Sequence, residues 1–388
     1  SGGGKLGSSD IILSGDSSSV ISVSAELGTI PYVSGLIIDT QGVVNFSGSM
    51  NIRSKFIYKN GKVSTVGSFL KFSPREYSLI IIDTTNQNGR VNFDKVEFYG
   101  YSSTWNFESD FYAMEISGLD PAGGNLVGKD IYLNKKLDLK NFSSGPGGTS
   151  GGTTMIYMQG GVNDNHEVSF YGRSPNITFN TDGKVTLVSS DDQSSYGGSF
   201  KIVKADLQKF GWLTFKYGTV DVPDGFEFNG NVALISEVYS TITIKNRMIV
   251  NGDLNIGAGS SMKNPTSVLG ANIEFKKDLY DSTGNDQYTY NMANTLVAVG
   301  SNLQKVYSAA GGSGYNITVN KDDNSLLTYA NDNFFMKDVI VNSGKISSDF
   351  KANFSCYANT TTRIKIKQNQ FKNVEFVGAN CKFDLTDT

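Results

Sequence analysis

Short stretches in which apolar and polar residues alternate recur along the whole chain, and they constrain its fold more than any other feature. Residues 91–98, 248–251, 254–256 and 350–356 are clear examples. Alternation with a period of two is typical of β-strands. Because each stretch spans only a few residues before Gly, Asn or Asp intervenes, the pattern favours a solenoid whose coils each hold about three short strands.

Turn chemistry supports a coil over a stack of hairpins. Asn60-Gly61 is the one clear candidate for a two-residue hairpin turn in a chain of 388 residues, with Asp182-Gly183 as a second. Gly and Asn are also the residues that tolerate the left-handed corners of a coil, and stacked Asn side chains form hydrogen-bonded ladders. We therefore predict an all-β fold, a right-handed parallel β-helix (solenoid) with a long lateral loop and a short helix.

Composition excludes several classes of function. Charged residues make up only 18%, against roughly 25% in ordinary globular domains, and 34 basic and 37 acidic residues leave a net charge of −3. With this net charge the chain has no overall positive field that would attract nucleic acid. Its apolar runs are all far shorter than the ~18 residues that a membrane-spanning segment needs. The abundance of Asn, Ser, Thr, Gly and Tyr is typical of an extracellular or cell-surface protein.

The coil pattern extends over residues 1–388, which we interpret as a single domain. Residues 1–30 are expected to form a linker and cap, and the SGGGK start indicates further sequence upstream. Residues 276–330 interrupt the pattern and are predicted to be a loop and helix excursion. The helix would cover 301–310, with Ser301 as its N-cap and Gly311 after its end.

Cys356 and Cys381 lie 25 positions apart, which is one coil of about 20 to 25 residues in a three-sided β-helix. Equivalent positions on adjacent coils are ~4.8 Å apart, so the two side chains are expected to lie close together. The sequence leaves open whether they form a disulfide or remain two buried thiols.

The motifs of β-helical pectin-degrading enzymes are present only as fragments: Asn180-Thr181-Asp182, Asp191-Asp192 and Arg363-Ile364-Lys365. Asp182 and Asp191 are less than half a coil apart and so cannot stack as an acid and base pair. The only histidine, His166, does not lie in a Gly-His-Gly motif. Oxygen-rich segments at 162–167 and 321–324 lack the glycine of a calcium loop. We predict no enzyme activity, metal or other cofactor, with a β-helical phage tailspike or polysaccharide lyase or hydrolase as the alternative.

Aromatic residues carry the functional prediction. Most of the 24 Phe and 19 Tyr lie in alternating stretches and are expected in the core, but a minority lie among polar residues. Exposed rings of this kind stack on pyranose faces while neighbouring polar groups bond the hydroxyls. By contrast, residues 73–77 (SPREY) are typical of a plain turn. The candidate carbohydrate-binding residues are Tyr99, Tyr101, Trp105, Tyr112, Tyr196, Trp212, Tyr217, Tyr280, Tyr288 and Tyr290.

Residues 36–52 (LIIDTQGVVNFSGSMNI) and 371–385 (FKNVEFVGANCKFDL), together with the Tyr-rich segments and the missing catalytic motifs, resemble the C-terminal domain of tapirins. The resemblance covers essentially the whole chain and assigns no individual residue. It implies an extracellular β-helix with a long lateral loop that attaches cells to cellulose. We thus expect a non-catalytic adhesin whose partner is polysaccharide, cellulose in particular, and which is a monomer. A structural surface segment without a ligand is a further alternative.

Overall fold

A computed structural model describes the chain in twenty segments. They are residues 9–15, 19–21, 32–46, 49–64, 69–85, 93–119, 124–139, 154–170, 177–189, 199–201, 209–216, 218–236, 241–258, 266–282, 290–292, 295–308, 315–335, 337–356, 358–366 and 370–385.

These residues form strands, turns and bends and contain no helix, and the parallel strands stack as a β-solenoid of about 11 turns. The predicted solenoid class is thus confirmed, while the handedness of the coil stays a prediction. Contacts along the chain divide it into two compact units, 1–183 with 188–207 and 184–187 with 208–388. The single-domain interpretation stays a prediction, and each unit is described by itself.

The first fourteen strands, all in unit 1, are short apart from two of 15 residues. They are β1 (Ile11–Gly15), β2 (Ser19–Ile21), β3 (Tyr32–Phe46), β4 (Met50–Ser64), β5 (Phe69–Phe72), β6 (Leu79–Asp83), β7 (Phe93–Tyr99), β8 (Thr104–Phe107), β9 (Phe111–Leu119), β10 (Asn125–Gly128), β11 (Ile131–Leu139), β12 (Ile156–Gly160), β13 (Asn165–Phe170) and β14 (Ile177–Thr181).

The strands that follow have the same character. They are β15 (Lys184–Ser189), β16 (Ser199–Lys201), β17 (Trp212–Phe215), β18 (Gly218–Asp221), β19 (Phe226–Phe228), β20 (Asn231–Ser236), β21 (Thr241–Ile244), β22 (Met248–Val250), β23 (Leu254–Ala258), β24 (Thr266–Gly270), β25 (Ile273–Phe275), β26 (Leu279–Ser282), β27 (Tyr290–Met292), β28 (Thr295–Gly300), β29 (Gln304–Ser308), β30 (Asn316–Lys321), β31 (Leu326–Tyr329), β32 (Asn333–Phe335), β33 (Val339–Ser343), β34 (Lys345–Ser355), β35 (Thr361–Lys365), β36 (Gln370–Val377) and β37 (Lys382–Leu385).

In unit 1, each strand pairs in parallel with the equivalent strand of the next coil. The register places Leu36 beside Phe56, Phe56 beside Ile82, and Ile82 beside Phe107. All four side chains are buried. Since side chains alternate between the two faces of a strand, the alternating stretches put one apolar column inside the coil and one polar column outside.

Phenylalanines fill the interior of this unit. Phe56 lies 5.6 Å from both Phe72 and Phe93, measured between ring centroids, and Phe93 lies 5.4 Å from Phe111. Aromatic pairs at such distances add roughly 0.5–1.5 kcal/mol each to the stabilisation from burial alone. Most of the phenylalanine excess in the composition is therefore core, as predicted.

Unit 2 is built in the same way from three ladders. In one, Val232 pairs with Leu254 and Leu254 with Leu279. In another, β19, β22, β25, β28, β30, β33, β35 and β37 follow one another as parallel neighbours. Successive partners lie about one coil apart in sequence, which agrees with the predicted coil length.

Polar side chains at the corners stack from coil to coil, as the sequence indicated. In the ladder described here, their oxygen atoms accept hydrogen bonds from backbone N–H groups of the next coil. The Oδ1 atom of Asn231 accepts a hydrogen bond from the backbone N–H of Asp253 at 2.8 Å. Asp253 accepts in turn from Asp278, and Asp278 from Lys305, at 3.2 and 2.8 Å. These ladders pair N–H groups at the corners, which lie outside the regular strand pairing.

The predicted helix over 301–310 is wrong. Residues 304–308 form β29, which pairs in parallel with β26 and β31. Gln304, Val306 and Ser308 point inward and are buried, whereas Lys305 is exposed. The inward polar residues concealed the period of two, so that capping signals at Ser301 and Gly311 dominated the sequence interpretation.

The predicted excursion over 276–330 is also largely a set of ordinary coils. Strands β26, β28, β29, β30 and β31 within it all pair with neighbouring coils. At the other end, β1 and β2 pair with β3, so residues 11–15 and 19–21 of the expected linker and cap are strands. Residues 1–8, 283–289 and 309–314 lie outside the described segments.

Cys356 and Cys381 form a disulfide with their Cα atoms 6.0 Å apart. The backbone N–H of Cys356 donates to the carbonyl of Val377 at 3.2 Å, which ties the end of β34 to the end of β36. The structure thus decides between the two alternatives left open by the sequence. Among the described residues there is also no apolar helix long enough to span a membrane.

Candidate functional site

Trp105 cannot take part in surface binding, so its predicted role is wrong. Its side chain is fully buried, 5.7 Å from Phe98 between ring centroids. The indole Nε1 donates to the carbonyl of Phe72 at 3.3 Å. Trp105 occupies an inward position of β8, and the polar residues around it in sequence belong to the turns and to the outer face of the strand.

Tyr112 belongs to a stack of tyrosines on one face of unit 1. Its ring lies parallel to that of Tyr132 at 4.7 Å, and Tyr132 lies parallel to Tyr157 at 4.9 Å. Burial in the stack and the nearby carboxylates of Asp110 and Asp130 raise the pKa of Tyr132 to about 12. Since neighbouring rings cover each other's faces, the stack offers edges and hydroxyls to a ligand, and few faces.

Tyr280 is in the same situation in unit 2. It is 36% exposed, but its ring is stacked on Tyr307 at 5.0 Å with an interplanar angle of 8°. Trp212 is half-buried at the start of β17, beside Lys184 and Asn231 of neighbouring strands. Tyr290 begins β27, and its side chain is not among those described. Tyr196, Tyr217 and Tyr288 lie outside the described residues, so their predicted roles stay predictions.

Tyr99 and Tyr101 are the two predicted residues that the structure places together on an open surface. Their side chains are 43% and 42% exposed, at the turn between β7 and β8. Tyr77, from the turn of the preceding coil, is 72% exposed and meets Tyr101 edge to face at 5.9 Å. Lys71 lies over the Tyr99 ring at 4.2 Å and also forms an ion pair with Glu97.

Two cavities adjoin these rings. The larger, of about 550 Å³, is lined by Arg53, Ser73, Pro74, Arg75, Glu76, Tyr99, Gly100 and Tyr101. The smaller, of about 400 Å³, is lined by Tyr32, Ser34, Arg53, Ser54, Arg75, Ser78 and Leu79. Arg53 and Arg75 line both, so the two cavities are neighbours. We call these lining residues together with Tyr77 the tyrosine–arginine groove.

The floor of the groove is built by close packing of two successive turns. The backbone N–H of Tyr77 donates to the carbonyl of Tyr101 at 3.0 Å, and that of Thr104 donates to Ser78 at 3.0 Å. At Gly100, a Cβ atom would lie 2.7 Å from Ser103 Oγ and 3.1 Å from the Trp105 ring. Trp105 therefore supports the groove from below, although it cannot touch a ligand there.

Backbone conformation singles out the same two turns. Among the described residues, five that are not glycine have a positive φ angle, and three of these are asparagines, which tolerate it. The other two are Tyr77, at 56°, and Ser102, at 50°. A left-handed conformation costs such residues about 1–2 kcal/mol, and strain of this kind is found more often at functional sites.

The residues of the groove do not form a pair of catalytic carboxylates. Glu76 is the one carboxylate among its lining residues, whereas glycoside hydrolysis normally uses two. His166 is buried, and its Nε2 lies 2.9 Å from Thr181 Oγ1. Burial lowers the pKa of His166. Within the described segments, no group of three or more His, Cys, Asp or Glu side chains could hold a metal ion.

Sequence reasoning missed Tyr32, Arg53, Arg75 and Tyr77. Residues 73–77 do form a turn, as predicted, but the aromatic and basic side chains of that turn also belong to the groove. A usable signal exists: Arg53 and Arg75 are 22 positions apart, and Tyr77 and Tyr101 are 24 apart. One-coil spacing places such residues on the same corner of successive coils.

Comparison with known proteins gives no family for this chain: no family model, no curated protein and no solved structure matches it. The resemblance to tapirins stays a prediction. The fold and the groove are therefore the basis for any functional proposal.

A buried lysine in unit 2 is a second unusual feature, unconnected with the groove. Lys321 is 1% exposed, and its ammonium group donates to the carbonyl of Asn302 at 2.7 Å and to Gln304 Oε1. Gln304 Nε2 donates to the carbonyls of Phe275 and Lys277, both at 2.9 Å. Burial lowers the pKa of Lys321 to about 8.

We expect this lysine to make unit 2 more stable in mild alkali. Between pH 8 and the ordinary lysine value near 10.5 the unfolded chain binds more protons, so stability rises with pH. From pH 7 to 9.5 the free energy of unfolding should increase by about 1–2 kcal/mol from this group. Urea unfolding of the wild type and Lys321→Gln at both pH values measures it. The difference isolates Lys321 from Lys337, whose pKa burial also lowers. An equal increase in both proteins would contradict the assignment.

Proposed function

We propose that this protein is a non-catalytic, extracellular adhesin that attaches cells to insoluble polysaccharide, cellulose in particular. The tyrosine–arginine groove is the binding site in this proposal. The observation that carries it is the presence of three exposed tyrosine rings, Tyr77, Tyr99 and Tyr101, beside an open cavity of about 550 Å³.

The chemistry of the groove suits a sugar chain. Tyrosine combines an apolar face, which packs on the C–H groups of a pyranose, with a hydroxyl that reaches polar partners. Serine hydroxyls and guanidinium groups along the same surface can bond sugar hydroxyls. The rings are held by strained turns and a buried tryptophan, and preorganisation of this kind lowers the entropy lost on binding.

The disulfide supports an exported location, because such bonds persist mainly in oxidising compartments. Secreted polysaccharide-binding proteins meet their ligand outside the cell, so the location and the proposed ligand agree.

Depletion by microcrystalline cellulose tests the proposal. We expect the wild type to leave the supernatant, and the double variant Tyr77→Asn/Tyr101→Ser to lose at least about 10-fold in affinity, since two contact rings are removed. Asparagine tolerates the positive φ of residue 77, so the turn should persist. The matched control is Tyr280→Thr, which removes an exposed tyrosine of unit 2.

Two outcomes would overturn the proposal. If the wild type stays in the supernatant with every polysaccharide tried, the protein is not a polysaccharide adhesin. If incubation releases reducing ends or unsaturated products, the protein is an enzyme, as in the alternative of a β-helical lyase, hydrolase or tailspike.

A further inference from the structure

We infer that the tyrosine–arginine groove contains a subsite for the carboxylate of an acidic sugar, so that it binds uronate-bearing polysaccharide more tightly than the neutral chain. This inference rests on the proposed function and specifies the class of ligand.

The groove holds the positive charges of two arginines, Arg53 and Arg75. Some basic groups of unit 1 do have carboxylate partners: Lys55 with Asp10 at 2.6 Å, and Lys71 with Glu97 at 3.2 Å. Within the described segments, neither Arg53 nor Arg75 forms an ion pair, although Glu76 lines the same cavity as both. The lining residues of the larger cavity thus carry two positive charges and one negative charge.

The position of the two arginines and the chemistry of the guanidinium group both favour a carboxylate ligand. Both arginines line both cavities, so the inferred subsite lies where the two linings overlap. Arginine binds carboxylates through two parallel N–H···O bonds, which a sugar hydroxyl cannot reproduce. Arg53 also lies 3.7 Å from the centre of the Tyr32 ring, which restricts its orientation.

Aromatic side chains line the groove together with the arginines. A site for a simple anion needs only positively charged side chains. In this groove the two arginines lie among exposed apolar surface, which is formed by Tyr77, Tyr99, Tyr101 and Leu79. The combination matches a ligand with both a carboxylate and apolar ring faces. With a formal charge of −3 on the whole chain, general attraction of polyanions is not expected.

A pair of matched oligosaccharides tests the inference: cellohexaose and its C6-oxidised counterpart, which has the same linkage and a carboxylate on each sugar. Isothermal titration calorimetry measures the dissociation constant of each. We expect the wild type to bind the oxidised form about 10-fold more tightly. Arg53→Gln and Arg75→Gln should each reduce this preference and together abolish it, because the affinity for the oxidised form falls much further than the affinity for cellohexaose. The lysine variants should restore the preference only in part, because lysine lacks the planar fork.

Arg363→Gln is the matched control, since it removes an exposed, ion-paired arginine of unit 2 and should retain the full preference. Circular dichroism shows whether each variant is folded. Equal affinity for both oligosaccharides would overturn the inference and leave the proposed function standing. Binding of neither one would overturn the proposed function itself. Equally tight binding of poly-aspartate or a single-stranded oligonucleotide would identify a general anion site and so also overturn the inference.

Discussion

Replacing Trp105 with alanine is expected to lower the free energy of unfolding of unit 1 by about 3–5 kcal/mol. The side chain is fully buried in a cluster of aromatic rings, so truncation leaves a large cavity. It also removes the hydrogen bond to the carbonyl of Phe72 and the ring on which Gly100 packs. Urea unfolding followed by far-ultraviolet circular dichroism measures the loss.

Trp212→Ala is the matched control for this experiment. Trp212 is half-buried at the start of β17, so the same truncation should reduce stability by about 1 kcal/mol. A loss at Trp105 no larger than the loss at Trp212 would contradict the core position of Trp105. Because Trp105 supports the turns of the groove, we also expect Trp105→Ala to weaken binding in those molecules that remain folded.

Removing the disulfide is expected to loosen the last coils of unit 2. The Cys356–Cys381 bridge closes a loop with a sequence separation of 25, and a bridge of this span stabilises the folded state by about 3 kcal/mol. Strand β36 depends on it more than inner strands do, because Val374 and Phe376 are 46% and 49% exposed and so contribute little burial.

Hydrogen exchange measures this effect. In the double variant Cys356→Ser/Cys381→Ser, amides of 370–377 and 382–385 should exchange about 100-fold faster, as a change near 3 kcal/mol implies. Amides of β28 and β30, which lie within the same unit, serve as the internal control and should change little. Unchanged exchange in β36 and β37 would show that the strand pairing alone holds the coils.

The parts of the fold that repeat locally could be predicted from the sequence. The alternation of apolar and polar residues determines which side chains of each strand point into the core. The number of residues between equivalent turns gives the length of a coil. The spacing of Cys356 and Cys381 was informative for the same reason: one coil separates them, so stacking brings them together. The helix over 301–310 failed because Gln304 and Ser308 point inward, where a buried network including Lys321 satisfies Gln304.

The groove was not predicted as a unit, because its residues come from several coils and only their spacing of about one coil connects them in the sequence. Arg53, Arg75 and Tyr101 are far apart in sequence, and only the stacking of corners brings them together. The solvent exposure of the aromatic residues could not be predicted either. Trp105, Tyr112 and Tyr99 all occur among polar residues in the sequence. Trp105 is nevertheless in the core, Tyr112 belongs to a stack of rings, and Tyr99 lines the groove. Local composition reports the neighbours along the chain, whereas exposure depends on the neighbours in adjacent coils.

Hydrogen exchange with and without soluble cellohexaose tests the central claim, polysaccharide binding in the tyrosine–arginine groove, most directly. If the claim is right, the ligand slows exchange in residues 73–78 and 100–103 of the wild type, and this protection disappears in Tyr77→Asn/Tyr101→Ser. Residues 279–282, around the stacked Tyr280, should be unaffected. Protection confined to the tyrosine stacks, or no protection anywhere at saturating ligand, would contradict the claim.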